Sequence, residues 1–200
     1  MNPEGRLKVV IVVCILLSFS FLLAQNEPQA FSADYVFTDS GSKEPPGRIY
    51  FSWPYLRMDN AKGIVLIANY TTRIQYSIFT EKHNYFESVG PEYTFDHMNP
   101  CAKRADITCK AAGKSTVNGR ACDLWETTDK SGRPGSVCID QKLRFPVRVK
   151  NGNGTTVEYI NIKAEPQPAS LFEIPAGYTK VDNPFARPGN DHPQPTPASK

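Results

Sequence analysis

The sequence has few of the residues on which most catalytic and nucleic-acid-binding sites depend. It contains three histidines among 200 residues, and its 23 basic and 20 acidic side chains give a formal net charge of +3. The basic residues are dispersed, so they form no positive stripe that would bind nucleic acid. The motifs G-x-S-x-G and H-E-x-x-H are absent, as are a glycine-rich phosphate loop and a calcium loop. These absences exclude the common hydrolase and nucleotide-binding classes.

The histidines do not make up for these absences. His83 and His97 lie within the main part of the chain, and His192 lies near its end. Asp96 precedes His97, but such pairs are common on solvated loops, and acyl transfer also requires a nucleophile that meets the base in space. We therefore predict a protein that is not an enzyme and that uses no cofactor.

A long hydrophobic run occurs only at the N-terminus. Arg6 and Lys8 precede a largely apolar stretch over residues 9–24, which is the layout of a Sec-type signal peptide. As a helix this stretch would span about 24 Å, less than the ~30 Å of a hydrocarbon core. We predict a signal peptide at residues 1–24, cleaved near Ala24 or Gln25, and a periplasmic or secreted product. An uncleaved anchor is the alternative, because Leu22 is large for the −3 position, and it would be the only membrane contact.

Removal of the signal leaves an even number of cysteines. The four are Cys101, Cys109, Cys122 and Cys138. In an exported chain they indicate two disulfides with three conceivable connectivities. A hairpin folded about Ser131 brings Cys122 and Cys138 roughly opposite each other, which leaves Cys101 to pair with Cys109. The alternative is a zinc site that includes His97, but no C-x-x-C pair is present, and we predict no metal.

Alternation of apolar and polar residues dominates the region after the signal. Phe31, Ala33, Tyr35 and Phe37 share one face of a first strand, and similar patterns predict strands up to residue 162. Residues 91–112 break the pattern and predict one or two short helices or a structured loop. The capping pattern S-x-x-E at Ser170 predicts one helical turn. We expect a single mainly β (α+β) domain over residues 25–182.

The C-terminal end has a different composition. Residues 183–200 contain five prolines and only Phe185 as a large apolar residue. Such a segment buries too little surface to offset its ordering entropy, so we predict a disordered tail.

Several predicted strands have large apolar residues on both faces. This pattern is typical of a strongly curved sheet around an apolar space, and it fits a two-layer sandwich equally well. For the curved sheet, we select six side chains as candidates for the lining of a ligand cavity. They are Phe37, Phe51, Trp53, Ile74, Tyr76 and Trp125.

The C-terminal half resembles the LolA-like superfamily of bacterial lipoprotein localisation, in particular an uncharacterised periplasmic branch of it. The resemblance covers about residues 116–182. The segments that carry it are 117–120 (VNGR), 125–126 (WE), 139–147 (IDQKLRFPV), 161–162 (NI) and 170–178 (SLFEIPAGY). The N-terminal half matches only weakly, at 47–53 (GRIYFSW) and 54–58 (PYLRM).

The resemblance implies a curled antiparallel sheet that forms a half-open barrel, with short lid helices and an apolar cavity for acyl chains. It gives Arg57, which follows Pro54, the position of an arginine that helps to hold the lid. The implied function is an exported, monomeric binding protein that holds a lipid or a lipoprotein acyl chain as a carrier or sensor. The alternative is a non-carrying envelope scaffold that contacts another protein. Four cysteines and the proline-rich tail depart from the carriers.

The signal prediction can be tested on the intact protein. When the full chain is expressed in a Gram-negative host, we expect the periplasmic fraction to contain a product that starts at residue 25 or 26. Replacing Leu22 with Ala should sharpen cleavage, because a small residue suits the −3 position. Intact-mass measurement gives the N-terminus, and a full-length product in the membrane fraction would instead indicate the uncleaved anchor.

Overall fold

One β-sheet accounts for most of the chain. The computed structural model describes residues 28–39, 41–90, 98–102 and 104–185. The predicted signal peptide, His97 and the tail beyond residue 185 lie outside these ranges. The strands are β1 (Phe31–Asp39), β2 (Ser42–Lys43), β3 (Gly47–Ser52), β4 (Tyr55–Asp59), β5 (Ile64–Asn69), β6 (Ile74–Phe79), β7 (Asn84–Val89), β8 (Ile107–Val117), β9 (Arg120–Asp129), β10 (Pro134–Asp140), β11 (Phe145–Lys150), β12 (Thr156–Lys163) and β13 (Thr179–Lys180). Helical structure in this part of the chain is limited to a 3-10 turn, Ala169–Phe172.

The strand order divides the sheet into two halves that meet at β1. The order is β13-β7-β6-β5-β4-β3-β1-β12-β11-β10-β9-β8, and β2 pairs with the end of β1. The pairs are antiparallel except for β13 and β7, which run parallel. The prediction of a mainly β fold built on one curled antiparallel sheet is therefore confirmed.

The first half is a meander with a period of ten residues. The hairpin loops that precede β5, β6 and β7 each end on a residue with positive φ: Gly63 at 73°, Arg73 at 57° and His83 at 48°. The left-handed conformation closes a tight hairpin, and it is uncommon for residues other than glycine. The same left-handed conformation thus recurs in all three loops, although only the first loop has glycine, which adopts it most easily, at this position.

The second half of the sheet curls so strongly that the turn between β8 and β9, at its outer end, contacts β12. Asn118, in the turn between β8 and β9, donates from its side-chain nitrogen to Glu158 at 2.8 Å and to the Tyr159 carbonyl at 3.3 Å. Both acceptors lie on β12, with β11 and β10 intervening between β12 and β9 in the sheet. Val117 next to this turn is 3% exposed and joins the main core. Such curvature is typical of a half-open barrel.

The main core lies on the inner face of this curl and joins the two halves. Cross-strand partners share a face, and the register places Phe31 opposite Phe51 and Ala33 opposite Ile49. All four are fully buried. Their cluster extends across the second half to Cys122, Cys138, Leu143, Phe145 and Val147.

Two local predictions are corrected. Residues 107–112 were expected in helices or a loop, but they form the start of β8, with Ile107 opposite Asp129. The Asn118-Gly119 turn joins β8 to β9 in a long hairpin at the sheet edge, and a register shift between Ala111 and Lys114 interrupts the alternation of β8. The predicted turn near Ser170 is present as the 3-10 turn, but Pro168 precedes it and no side chain caps it.

Gly47 is required because the ring of Tyr35 occupies the space that a side chain at this position would need. A Cβ atom at this position would lie 2.2 Å from Cζ and 2.4 Å from the hydroxyl oxygen of Tyr35, its cross-strand partner. We expect Gly47→Ala to lower the free energy of unfolding by about 1–3 kcal/mol, because the ring must move. Urea unfolding in wild-type and Tyr35→Leu backgrounds measures this cost. It should shrink when the ring is removed, and an equal cost in both backgrounds would contradict the contact as its cause.

Candidate functional site

The inner face, where a ligand cavity was predicted, contains closely packed aromatic rings. The ring centroid of Phe31 lies 5.7 Å from that of Phe51 and 4.9 Å from that of Phe145, and Phe51 and Phe145 are 5.2 Å apart. The three residues are 0%, 0% and 9% exposed. These spacings are those of direct aromatic contact, so the rings fill the space between them.

Tyrosines extend this packing along the curl. Tyr159 meets Phe145 edge to face at 5.6 Å, and Tyr70 stacks on Trp53 at 6.2 Å. Burial raises the pKa of Tyr70 to about 12 and also raises the pKa of Tyr159. Burial raises a tyrosine pKa because the charged phenolate is poorly stabilised away from water. Both side chains are only partly exposed, so their hydroxyl groups have lost much of their contact with water.

The six predicted cavity residues are divided between two faces of the sheet. Those on the inner face are Phe51 and Trp53 in the core and Phe37, which alternates with Tyr35 and pairs with Val157. Those on the outer face are Tyr76, which packs in a second cluster, and Ile74, two residues before it. Trp125 neighbours Leu124, whose side chain packs on the inner core, so the alternation of the strand directs Trp125 away from that core. They do not form one lining, and their ligand contacts remain a prediction.

The outer face of β5 and β6 has its own apolar cluster. Val65, Ile67 and Ile78 are 6%, 2% and 1% exposed, with Tyr76 and Tyr85 packed beside them. The cover over this cluster comes from the C-terminal segment, residues 169–181, which we name the strap. Its contacts are made by Phe172, Ile174 and Tyr178. The residues around the turn predicted at Ser170 therefore cover the outer face of the sheet.

Arg57 connects the sheet to the strap. Its Nη1 donates to the carbonyl oxygen of Leu171 at 3.0 Å. Its Nε and Nη2 donate to the two carboxylate oxygens of Asp59 at 2.7 and 3.2 Å, which is a bidentate pair. The residue selected as a lid-holding arginine thus binds a covering segment on the outer face, while its role toward a lid remains a prediction.

The strap then passes along the edge of β7. The Thr179 amide donates to the His83 carbonyl at 3.0 Å, and the Val181 amide donates to the Tyr85 carbonyl at 2.8 Å. Lys180 forms an ion pair with Glu87 at 2.9 Å. The strap therefore pairs with an edge strand that the described residues do not otherwise cover.

The two disulfides have the predicted pairing and very different environments. Cys122–Cys138 has a Cα–Cα distance of 5.5 Å, and its cysteines are 2% and 1% exposed. The two residues are diagonal neighbours, because Cys122 lies opposite Asp140. Cys101–Cys109 ties the loop before β8 to that edge strand, with a Cα–Cα distance of 5.7 Å. The first bridge stabilises the core, and the second holds a surface loop.

Asp140 organises the turn within the segment 139–147. Its side chain is buried and accepts from Arg120 Nε at 2.6 Å and from the amides of Lys142 and Leu143 at 2.9 Å. These bonds close the turn between β10 and β11 and bury Leu143. The segment therefore has a structural role, in which a buried carboxylate fixes a turn.

Two clefts flank Arg120 at the rim of the curl. One of about 560 Å³ is lined by charged residues that include Lys114, Asp123 and Lys142, and one of about 400 Å³ adjoins it near Asn161. The described part of the chain holds no group of three or more metal-ligating side chains. Within the same residues, no helix is both long enough and apolar enough to cross a bilayer. His83 packs on the ring of Tyr178 at 5.2 Å.

Comparison with known proteins defines the fold. No family model matches the chain, and no curated protein matches it by sequence. An uncharacterized conserved protein from Thermus thermophilus aligns with a TM-score of 0.56 at 10% identity, over 82% of this chain and 98% of that one. The complex structure of Pseudomonas aeruginosa MucA/MucB aligns with a TM-score of 0.53 at 14% identity, over 83% of this chain and 64% of that one. At these identities the likeness shows the fold alone.

A LolA superfamily protein from Nitrosomonas europaea is also among the matches. It has 8% identity and a TM-score of 0.35, and the alignment covers 77% of this chain and 96% of that one. The structural neighbours thus include a member of the predicted superfamily. At this TM-score the match carries no further argument.

Burial of Tyr70 predicts that this side chain ionises late in an alkaline titration. It should remain neutral in the native protein at about pH 11, and burial raises the pKa of Tyr159 as well. Because the folded pKa of Tyr70 is raised from 10.0 to about 12, its contribution to stability is complete below about pH 10 and is lost as the pH rises through 12.

Phenolate absorbance and circular dichroism, recorded on the same samples, check this titration. Tyr70→Phe should remove absorbance from the phase that accompanies unfolding and leave the earlier phase unchanged. Ionisation of Tyr70 in the folded protein near pH 10 would contradict a filled interior.

Proposed function

We propose that this protein is an exported, non-catalytic binding module that uses a LolA-like scaffold to contact another protein. The observation that carries the proposal is the packing of Phe31, Phe51 and Phe145, whose rings occupy the inner face that would otherwise hold a ligand. A scaffold with a filled interior can present its outer surface without binding cargo. Fold likeness alone does not determine function, so the argument rests on this packing.

Export is supported by the sequence and by the cysteine pairing. The N-terminal segment has the layout of a Sec signal, and two disulfides pair all four remaining cysteines. Disulfides persist in oxidising compartments such as the periplasm. We propose a periplasmic or secreted monomer on this basis.

A protein partner is supported by analogy with MucB. A structure of MucB alone matches this chain with a TM-score of 0.51 at 17% identity, over 85% of this chain and 68% of that one. The MucB fold occurs in a complex with MucA. We carry over the kind of partner, another protein, and not its identity.

The competing proposal is a lipid carrier or sensor, as the LolA-like resemblance implies. Burial of an acyl chain yields about 0.8 kcal/mol per CH₂ and requires an apolar cavity, typically about 300 Å³ or larger. The cleft of about 560 Å³ beside Arg120 reaches that size, but it lies at the rim of the curl, where Lys114, Asp123 and Lys142 line it together with apolar surface. An aromatic cleft beside Trp53, Tyr55 and Phe172 has a volume of only about 240 Å³. The filled-interior proposal therefore takes precedence.

A catalytic role has no support in the described residues. His83 lies in a hairpin turn against Tyr178, and the carboxylates of Asp34, Asp59 and Asp140 pair with arginines. No nucleophile and base lie together in the contacts of these residues, as acyl transfer would require.

Native mass spectrometry tests the filled interior. We expect protein purified from the periplasm to carry no lipid, and to acquire none after incubation with palmitate, because packed rings leave no space for an acyl chain. The matched control is Phe51→Ala combined with Phe145→Ala, which opens a cavity on the same face and should raise palmitate retention. One lipid retained per wild-type molecule would instead support the carrier proposal.

A further inference from the structure

The strap covers an apolar surface that a soluble protein would not otherwise expose. Val65, Ile67 and Ile78 lie on the outer face, opposite the filled interior, and are almost fully buried. The cover over them consists of Phe172, Ile174 and Tyr178. Contiguous apolar patches on a surface mark interaction sites, and this one is covered by a segment of the chain itself.

The attachment of the strap is shallow. None of the residues in its 3-10 turn is buried, and both residues of β13 are exposed. The turn is fixed to the sheet at the Leu171 carbonyl by Arg57, and the end of the strap by the amides of Thr179 and Val181. Segments with few buried contacts open locally at much lower free energy than the core of a protein.

The bonds that hold the strap do not depend on its sequence. Arg57 binds a main-chain carbonyl, and β7 accepts two main-chain amides. β7 can accept main-chain amides from another segment in the same way, which is the basis of peptide binding by strand addition. Selectivity comes from the side chains, namely the apolar groups over Ile67 and Ile78 and the lysine at Glu87.

The linker allows the strap to move as a unit. Residues 164–168 join the end of β12 to the strap, make no ladder pairing and are largely exposed. Pro166 and Pro168 lack the amide that pairing would need. The linker can therefore change direction without breaking the sheet.

From these observations we infer that the strap is a displaceable cover, and that the surface beneath it binds an extended segment of another exported protein. This inference rests on the proposed protein-binding function. The partner segment carries aromatic or aliphatic side chains in the places of Phe172, Ile174 and Tyr178, followed by a basic residue for Glu87. It pairs with β7 in place of β13.

Native-state hydrogen exchange on the wild-type protein provides the first test. The amides of Thr179 and Val181 should exchange at least about tenfold faster than the ladder amides of β5 and β6, because the strap opens without global unfolding. Exchange of both sets at one rate would overturn the inference, since the strap would then be an integral part of the fold. This measurement needs no variant.

Binding of a peptide in trans provides the second test. The probe is a fluorescent peptide of residues 166–183, and the protein is the full chain with Phe172→Ala and Tyr178→Ala. These changes weaken the strap and leave the surface intact. We expect the peptide to bind this variant at least about tenfold more tightly than it binds wild type, where the tethered strap competes at high effective concentration. A peptide with the same two alanines is the matched control.

The outcomes separate this inference from the proposed function. Equal binding by wild type and variant, or loss of cooperative unfolding in the variant, would overturn the displaceable strap. Dimers that exchange straps at high protein concentration would overturn the assignment to a different protein in favour of a second copy. A co-purifying lipid would contradict the proposed function and leave the exchange result unaffected. Phe185→Ala is the control for both measurements. The Phe185 ring lies on Phe86, away from the strap surface, so its removal should alter neither result.

Discussion

The contact of Phe31 with Phe51 and Phe145 is the interaction on which the architecture depends. Phe31 begins β1, the strand shared by both halves of the sheet, and its two partners lie in β3 and β11. Because β12 separates β1 from β11, the sheet must curve for these rings to touch. Truncation of one such ring typically costs about 3–5 kcal/mol, which is a large part of the stability of a domain of this size. The same contact fills the interior and moves the candidate binding surface to the outer face.

The two halves of the sheet are stabilised by different means. The second half carries the buried Cys122–Cys138 bridge, a cross-link typically worth about 2–4 kcal/mol. The first half is a plain meander whose last strand, β7, would be a free edge without the strap. A cross-linked half and a half closed by a non-covalent segment should differ in how readily they open. The candidate surface lies on the half without the bridge.

Most strands could be predicted from the sequence, whereas the role of the strap could not. Alternation identifies strands such as β1, in which Phe31 and Ala33 point to a core, and the turn at Ser131 was sufficient to pair Cys122 with Cys138. It failed for β8, where a register shift between Ala111 and Lys114 interrupts the alternation. Alternation also cannot say which face of a sheet is inner, so Tyr76 and Phe51 were grouped although they lie on opposite sides. The strap bonds depend on main-chain atoms, which leave no pattern in the side chains.

The period of the meander limits how this sheet can vary in length. Positions ten residues apart alternate between the two faces: Leu66 packs on the inner core and Tyr76 on the outer cluster, while Phe86, twenty residues after Leu66, lies opposite Ser77 on the inner side. A sheet with one strand more or fewer would therefore present the opposite face to the strap. Its edge strand would also run in the opposite direction relative to β13. Gain or loss of a complete hairpin would preserve both. Among proteins with this architecture, the width of the first half should change in steps of two strands.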